Sequence, residues 1–139
     1  MRELLIDAEL DNLDTVLGFV TSELEATGCP MKQQTKIIIA VEEIFVNIAR
    51  YAYAPGIGGV AIRVAIGDEI TIEFEDEGIP YNPLENEEPD ITSGAEARKI
   101  GGLGVFMVRQ IMDSVIYKRE AGKNVLTISK QIVQEKITE

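Results

Sequence analysis

Three short stretches of the chain carry residue types suited to accepting a proton, holding a cation or meeting an anion. Glu43, Asn47 and Arg50 stand at i, i+4 and i+7, so on an α-helix they share one narrow stripe. Their neighbours are apolar (Ile37 to Val41, Ile44, Phe45, Val46, Ile48, Ala49), which predicts a buried helix. A buried carboxylate and a buried amide need polar partners. The stripe therefore either closes on itself, with Glu43 paired to Arg50, or lines the wall of a site. In a site, a glutamate is suited to accept a proton, and an amide oxygen suits a hard cation such as Mg2+.

The second stretch is Asp76-Glu77-Gly78-Ile79-Pro80, at the end of an alternating segment. Asp76 can accept a hydrogen bond from an exocyclic amine at the mouth of a pocket. Gly78 permits the close approach of something flat, or a turn with positive φ. The same residues also describe an ordinary turn. The third stretch, Gly101-Gly102-Leu103-Gly104, opens an apolar helix containing Val105, Phe106, Val108, Ile111 and Met112. Free backbone N–H groups and the helix dipole favour an anion there, or the glycines serve only tight packing. Arg98 and Lys99, the first bases after Arg63, stand just upstream and are able to close over phosphates.

The elements that must position these residues follow from periodicity. Arg2 to Ile6 reads as an edge strand. Asp11 is placed to cap a helix running to about Thr27, with Leu13, Val16, Leu17, Val20 and Leu24 at helical spacing. A second helix is expected from about Met31 to Tyr53. Val60 to Ile66 and Ile70 to Asp76 form a hairpin about Gly67-Asp68-Glu69. Gly78 to Gly101 has no sustained periodicity and contains Pro80, Pro83 and Pro89, which suggests a functional lid at about 81–99. A short helix from Gly102 to about Met112 follows. Ser114 to Arg119 and Val125 to Gln131 are the last strands, around a turn at Glu120 to Asn124. The order predicts one α+β domain over 1–139: a two-layer sandwich, three helices on one face of a mostly antiparallel sheet.

Taken in order, Glu-x-x-x-Asn on a helix, Asp-x-Gly-x-Pro after a strand and Gly-Gly-Leu-Gly before a helix resemble the nucleotide site of the GHKL ATPase superfamily. The wording from Glu43 to Tyr53 and from Gly102 to Asp113 is similar to the anti-sigma-factor serine/threonine kinases of bacterial partner switching. The resemblance covers about Leu4 to Lys130. It implies ATP and Mg2+ as ligands, Glu43 as catalytic base and Asn47 as the Mg2+ ligand. It also implies Arg50 facing phosphate, Tyr51 beside the nucleotide, Asp76 and Gly78 at adenine, and Gly102 and Gly104 at the phosphates. Thr127, on the last strand, falls where a family threonine often helps bind adenine. The partners implied are an anti-anti-sigma-type protein bearing the substrate serine, a sigma factor, and a second copy in a homodimer. Three other readings remain: an ATP-gated binding module without phosphoryl transfer, a detached histidine-kinase ATPase domain, and an acidic scaffold.

Composition narrows the field. The 139 residues include 13 bases and 24 acids, a net charge of −11. All of the excess lies between Val64 and Ala97, where 11 acids meet no base. That segment is either a solvated surface or a strip facing a basic partner or metal. No basic patch exists to hold a nucleic-acid backbone, and an anionic membrane would repel the chain. The longest apolar run, Ile37 to Val41, falls far short of a membrane span, and the first ten residues have no signal-peptide core. With a single cysteine, Cys29, the chain has no internal disulfide, and a cytoplasmic location is expected. The absence of histidine removes His-based triads, His metal sites and phospho-histidine relays within the chain.

Overall fold

The computed structural model describes residues 1–82 and 102–132, with 102–105 described by backbone alone. The expected lid therefore lies outside the described residues apart from Tyr81 and Asn82, as do Arg98, Lys99, Gly101 and the tail. The elements run β1 (Arg2–Asp7), α1 (Leu13–Ala26), α2 (Met31–Asn47), β2 (Gly59–Ile66), β3 (Glu69–Asp76), α3 (Gly102–Ile111), β4 (Ser114–Glu120) and β5 (Lys123–Gln131). The strands form one sheet in the order β1-β2-β3-β5-β4, antiparallel throughout, with β1 and β4 at the edges.

One face of the sheet carries the core. Ile62, Val64, Ile72, Phe74 and Ile128 alternate inward and meet Val16, Val20 and Leu24 of α1, Ile37, Val41, Ile44 and Phe45 of α2, and Val108 of α3. The two-layer α+β architecture is as expected, with two local differences. Asp11 does not cap α1. Leu10–Asn12 forms a 3-10 turn, and the helix starts after Asn12, whose Nδ2 donates to the Asp7 carbonyl (2.9 Å) and ties the turn back to β1. The second helix also changes character before its end. Its α geometry stops at Asn47, and Ile48–Ala52 continues as a π-helix.

The other face is closed by charge rather than by a second layer. Arg63, on β2, donates from Nε to Glu3 of β1 (2.6 Å), from Nη1 to Glu73 (3.1 Å) and from Nη2 to Glu75 (3.2 Å) of β3. Lys123 of β5 extends the cluster to Glu75 at 3.7 Å. The hydrogen bond to Glu75 raises the guanidinium above its already high pKa; burial opposes this, and the bonds to Glu3 and Glu73 add to it. The aliphatic stems of such side chains can cover apolar surface while their charged ends stay wet, and Ala61 and Val125 on this face are buried.

Removing the central cation would leave three carboxylates facing one another. Arg63→Met is expected to destabilise the fold by on the order of 1 kcal/mol in urea titrations at low salt, with the loss shrinking as added salt screens the charges. An unchanged midpoint would show that the cluster is ornamental to stability.

Candidate nucleotide site

Three of the expected site residues, Asn47, Tyr51 and Asp76, come together where the C-terminal end of α2 meets the ends of β3 and β5. A cavity of about 60 Å³ lies there. Ile44, Asn47, Ile48, Tyr51 and Ala52 line it from the helix side, Phe74, Asp76, Asn124 and Leu126 from the sheet, and Ile79, Tyr81 and Tyr117 close it. The walls are apolar and aromatic, suited to a flat ring, and the polar groups are few. The π segment supplies Ile48, Tyr51 and Ala52, and such wide turns are frequent at functional sites.

Asp76 is the best-placed polar group. It is only 6% exposed, and its Oδ1 accepts from the Gly78 N–H (2.9 Å) and from Asn124 Nδ2 (2.9 Å). Oδ2 accepts from no described residue, yet among those residues no fully buried side-chain polar atom lacks a partner. Oδ2 therefore retains open space beside it.

Gly78 explains itself by packing. A Cβ built on it would stand 2.3 Å from the Ala52 carbonyl oxygen, so the residue must be glycine for the loop to lie against the helix end. Its φ is not positive; close approach is what requires it, and the group approached is backbone. The neighbouring Ile79 N–H then donates to the Ala52 carbonyl at 2.9 Å, satisfying one carbonyl at the end of the helix. Tyr53 adds a second tie, donating from its hydroxyl to the Gly59 carbonyl and accepting from the Glu77 N–H (2.8 Å). Burial pushes the Tyr53 phenol up, against the Glu77 bond, and the Asp76 and Glu77 charges push the same way, so it stays a neutral donor.

The remaining expected residues divide. Asn47 lines the cavity, and half-buried Glu43 sits one turn earlier on α2, beyond the lining. Tyr51 lines the cavity. Gly102, Leu103 and Gly104 form the first turn of α3, which packs against α2. Arg50 does not join them. It is exposed and borders a separate depression with Glu9, Asp11 and Pro55, because the wider π turn rotates it off the stripe that Glu43 and Asn47 share. No ion pair joins it to Glu43 among the described residues. Thr127 also falls elsewhere. It pairs with Glu73 and Ile116, on the face away from the helices, whereas Asn124 and Leu126 pair with Asp76 and Phe74 on the cavity face.

Asn124 and Tyr117 are cavity residues that sequence reasoning missed. The β4–β5 turn is a two-residue loop, Ala121-Gly122, with φ of 52° and 79°. Both positions being left-handed marks a primed turn, and the right-hand twist of a hairpin favours it. Alanine at the first position hides the signal, so the sequence alone places Asn124 in the turn rather than in the strand.

The family model described as the histidine kinase-like ATPase domain matches residues 6–130. The chain is 33% identical over 119 residues to the anti-sigma F factor of Clostridium acetobutylicum, covering 84% of this chain and 80% of that one. It is 25% identical over 140 residues to the serine-protein kinase RsbW of Bacillus cereus, covering 97% and 87%. Among solved structures, the RsbU and RsbW domains of Rv1364c from Mycobacterium tuberculosis share its fold with a TM-score of 0.64 at 18% identity, over 99% of this chain and 35% of that one. With a match across nearly its whole length, the chain belongs to the histidine kinase-like ATPase domain family.

Proposed function

We propose that the chain is an ATP-dependent serine/threonine protein kinase of the anti-sigma-factor type. The observation that carries the reading is Asp76: a buried carboxylate, with one oxygen uncommitted, beside an aromatic-lined cavity. Such a group is fitted to the exocyclic amine of adenine, and the apolar walls to its ring. The names of the similar proteins, an anti-sigma F factor and a serine-protein kinase, support the class of partner.

Asn47 is the residue that would hold Mg2+, whose bound charge would offset that of the nucleotide phosphates. Backbone N–H groups in the first turn of α3, at Gly102 to Gly104, would meet the same phosphates. Positioning and charge neutralisation dominate phosphoryl transfer, so the protein has little covalent work to do. Glu43 takes the proton from a serine hydroxyl of the partner protein as that oxygen bonds to the γ-phosphorus. The bond from that phosphorus to the β–γ bridging oxygen breaks, and ADP carries away the electron pair. The partner is an anti-anti-sigma-type domain, and the same chain binds a sigma factor as a homodimer, with ATP setting which partner is held. Arg50 and Thr127 have no part in this scheme.

Two substitutions test it. Glu43→Gln keeps the size of the side chain and removes the base. It should bind ATP nearly as the wild type does and transfer phosphate at least about 10²-fold more slowly, measured with labelled ATP and serine-bearing partners. Unchanged transfer would remove Glu43 from the mechanism. ATP binding with transfer to no partner, even by the wild type, would leave the ATP-gated binding module. Asp76→Asn should weaken ATP binding by roughly 1–3 kcal/mol. GTP, which carries a carbonyl where adenine carries its amine, should lose less in calorimetric titrations, and equal losses would reduce Asp76 to a turn residue.

A further inference from the structure

Asn124 lies on β5 directly opposite Asp76, and it is 6% exposed. A carboxamide has two donor hydrogens and an oxygen with two acceptor positions, and here all four are occupied. Nδ2 donates to Asp76 Oδ1 at 2.9 Å and to the Ile79 carbonyl at 2.8 Å. Oδ1 accepts from the Tyr117 hydroxyl and, at 3.4 Å, from the Tyr81 N–H. Turning the amide over would set its oxygen against a carboxylate and a carbonyl, and its NH2 against an N–H. Its orientation is therefore fixed from both sides.

Two consequences follow for a ligand. Asp76 Oδ1 is fully engaged by Asn124 and Gly78, which leaves Oδ2 as the acceptor available to a ring. Asn124 itself has no hydrogen left with which to greet a carbonyl. We infer that Asn124 is a positioning residue that presents Asp76 Oδ2 to the ligand and, by withholding its own donors, selects a purine with an amine at C6 over one with a carbonyl there. The inference rests on the nucleotide reading of the cavity given above. A freely turning amide at this place would serve either ring; a locked one serves only the ring that donates from its C6 substituent.

Among the described residues, the charged and titratable groups around the pair are the phenols of Tyr53, Tyr117, Tyr51 and Tyr81, the Glu77 carboxylate, and Arg119, whose Nη1 donates to the Gly78 carbonyl at 2.8 Å. Asn124→Asp would place a second carboxyl against Asp76. Repulsion between the two holds the pair's upper apparent pKa above the ordinary carboxylate range. Below that value the shared proton lets the new carboxyl donate much as Asn124 does. Above it the donor is gone and two like charges face each other.

The test is the affinity of the full chain for Mg-ATP and Mg-GTP, each variant compared with wild type at the same pH. Asn124→Asp should approach wild-type ATP affinity near roughly pH 5.5 and fall about tenfold below it by roughly pH 8.5. The preference for ATP over GTP is the readout that a merely structural role would leave unmoved. Tyr117→Phe, which adds no charge, frees one side of the amide and should reduce the preference for ATP over GTP by about threefold or more. It decides the matter should Asn124→Asp fail to fold. An Asn124→Asp affinity that parallels wild type at every pH, or a Tyr117→Phe preference equal to wild type, would overturn the role of Asn124 while leaving the nucleotide site standing, provided Asp76→Asn still weakens ATP. Failure of the wild type to bind ATP would overturn both.

Discussion

The site depends on a missing side chain. Because Gly78 has no Cβ, the segment after β3 lies against the last carbonyl of the π-helix, within a distance that any other residue would have to enlarge. That contact sets the spacing between the helix that carries Glu43 and Asn47 and the strand that carries Asp76. Interiors are packed closely enough that a displacement at such a point passes to its neighbours rather than being absorbed. Here the neighbours are Ile79, which bonds the Ala52 carbonyl, and Asn124, which bonds the Ile79 carbonyl. Helix end, loop and last hairpin thus share one rigid corner, and the cavity is the space inside it.

The sheet also resolves an electrostatic difficulty. The chain is acidic and the nucleotide proposed as its ligand is a polyanion, yet part of the acid sits on β3 beside the cavity. Strand alternation sends Glu73 and Glu75 to the face opposite Phe74 and Asp76. There Arg63 and Lys123 neutralise them, with the sheet between them and the cavity. What lines the cavity is mostly aromatic and aliphatic surface with one buried carboxylate, so the long-range charge of the chain and the local chemistry of the cavity are largely decoupled.

Most of the architecture was legible because it is written in periodicities. The β2–β3 hairpin, the two long helices and the final strand pair all follow from spacing two or spacing three and four. Three features were not legible, each for a local reason. The change to a π-helix after Asn47 leaves the apolar pattern intact, so nothing in the residues announces that Arg50 turns away. The primed turn at Ala121-Gly122 uses alanine where asparagine or glycine would have been recognised, and this concealed Asn124. The position of Thr127 depends on the parity of β5, and in a strand an error of one residue exchanges the two faces. Glu43, Asn47 and Asp76 were found because a polar residue amid apolar ones stands out whatever the exact turn.

The cavity also sits at a particular place in the chain's connectivity. Asp76 ends one hairpin and Asn124 begins the last strand of the other, 48 positions apart in sequence. Each hairpin is made of local pairings, but the seam between β3 and β5 is not. Joining distant segments requires closing a long loop, an entropic barrier that local pairings do not face, and such steps tend to come late in folding. The cavity is therefore a product of one of the two distant pairings in the sheet, the other being that of β1 with β2. A ligand held between Asp76 and the helix end would bind only the chain in which that seam has closed, and so would stabilise the joined hairpins by mass action.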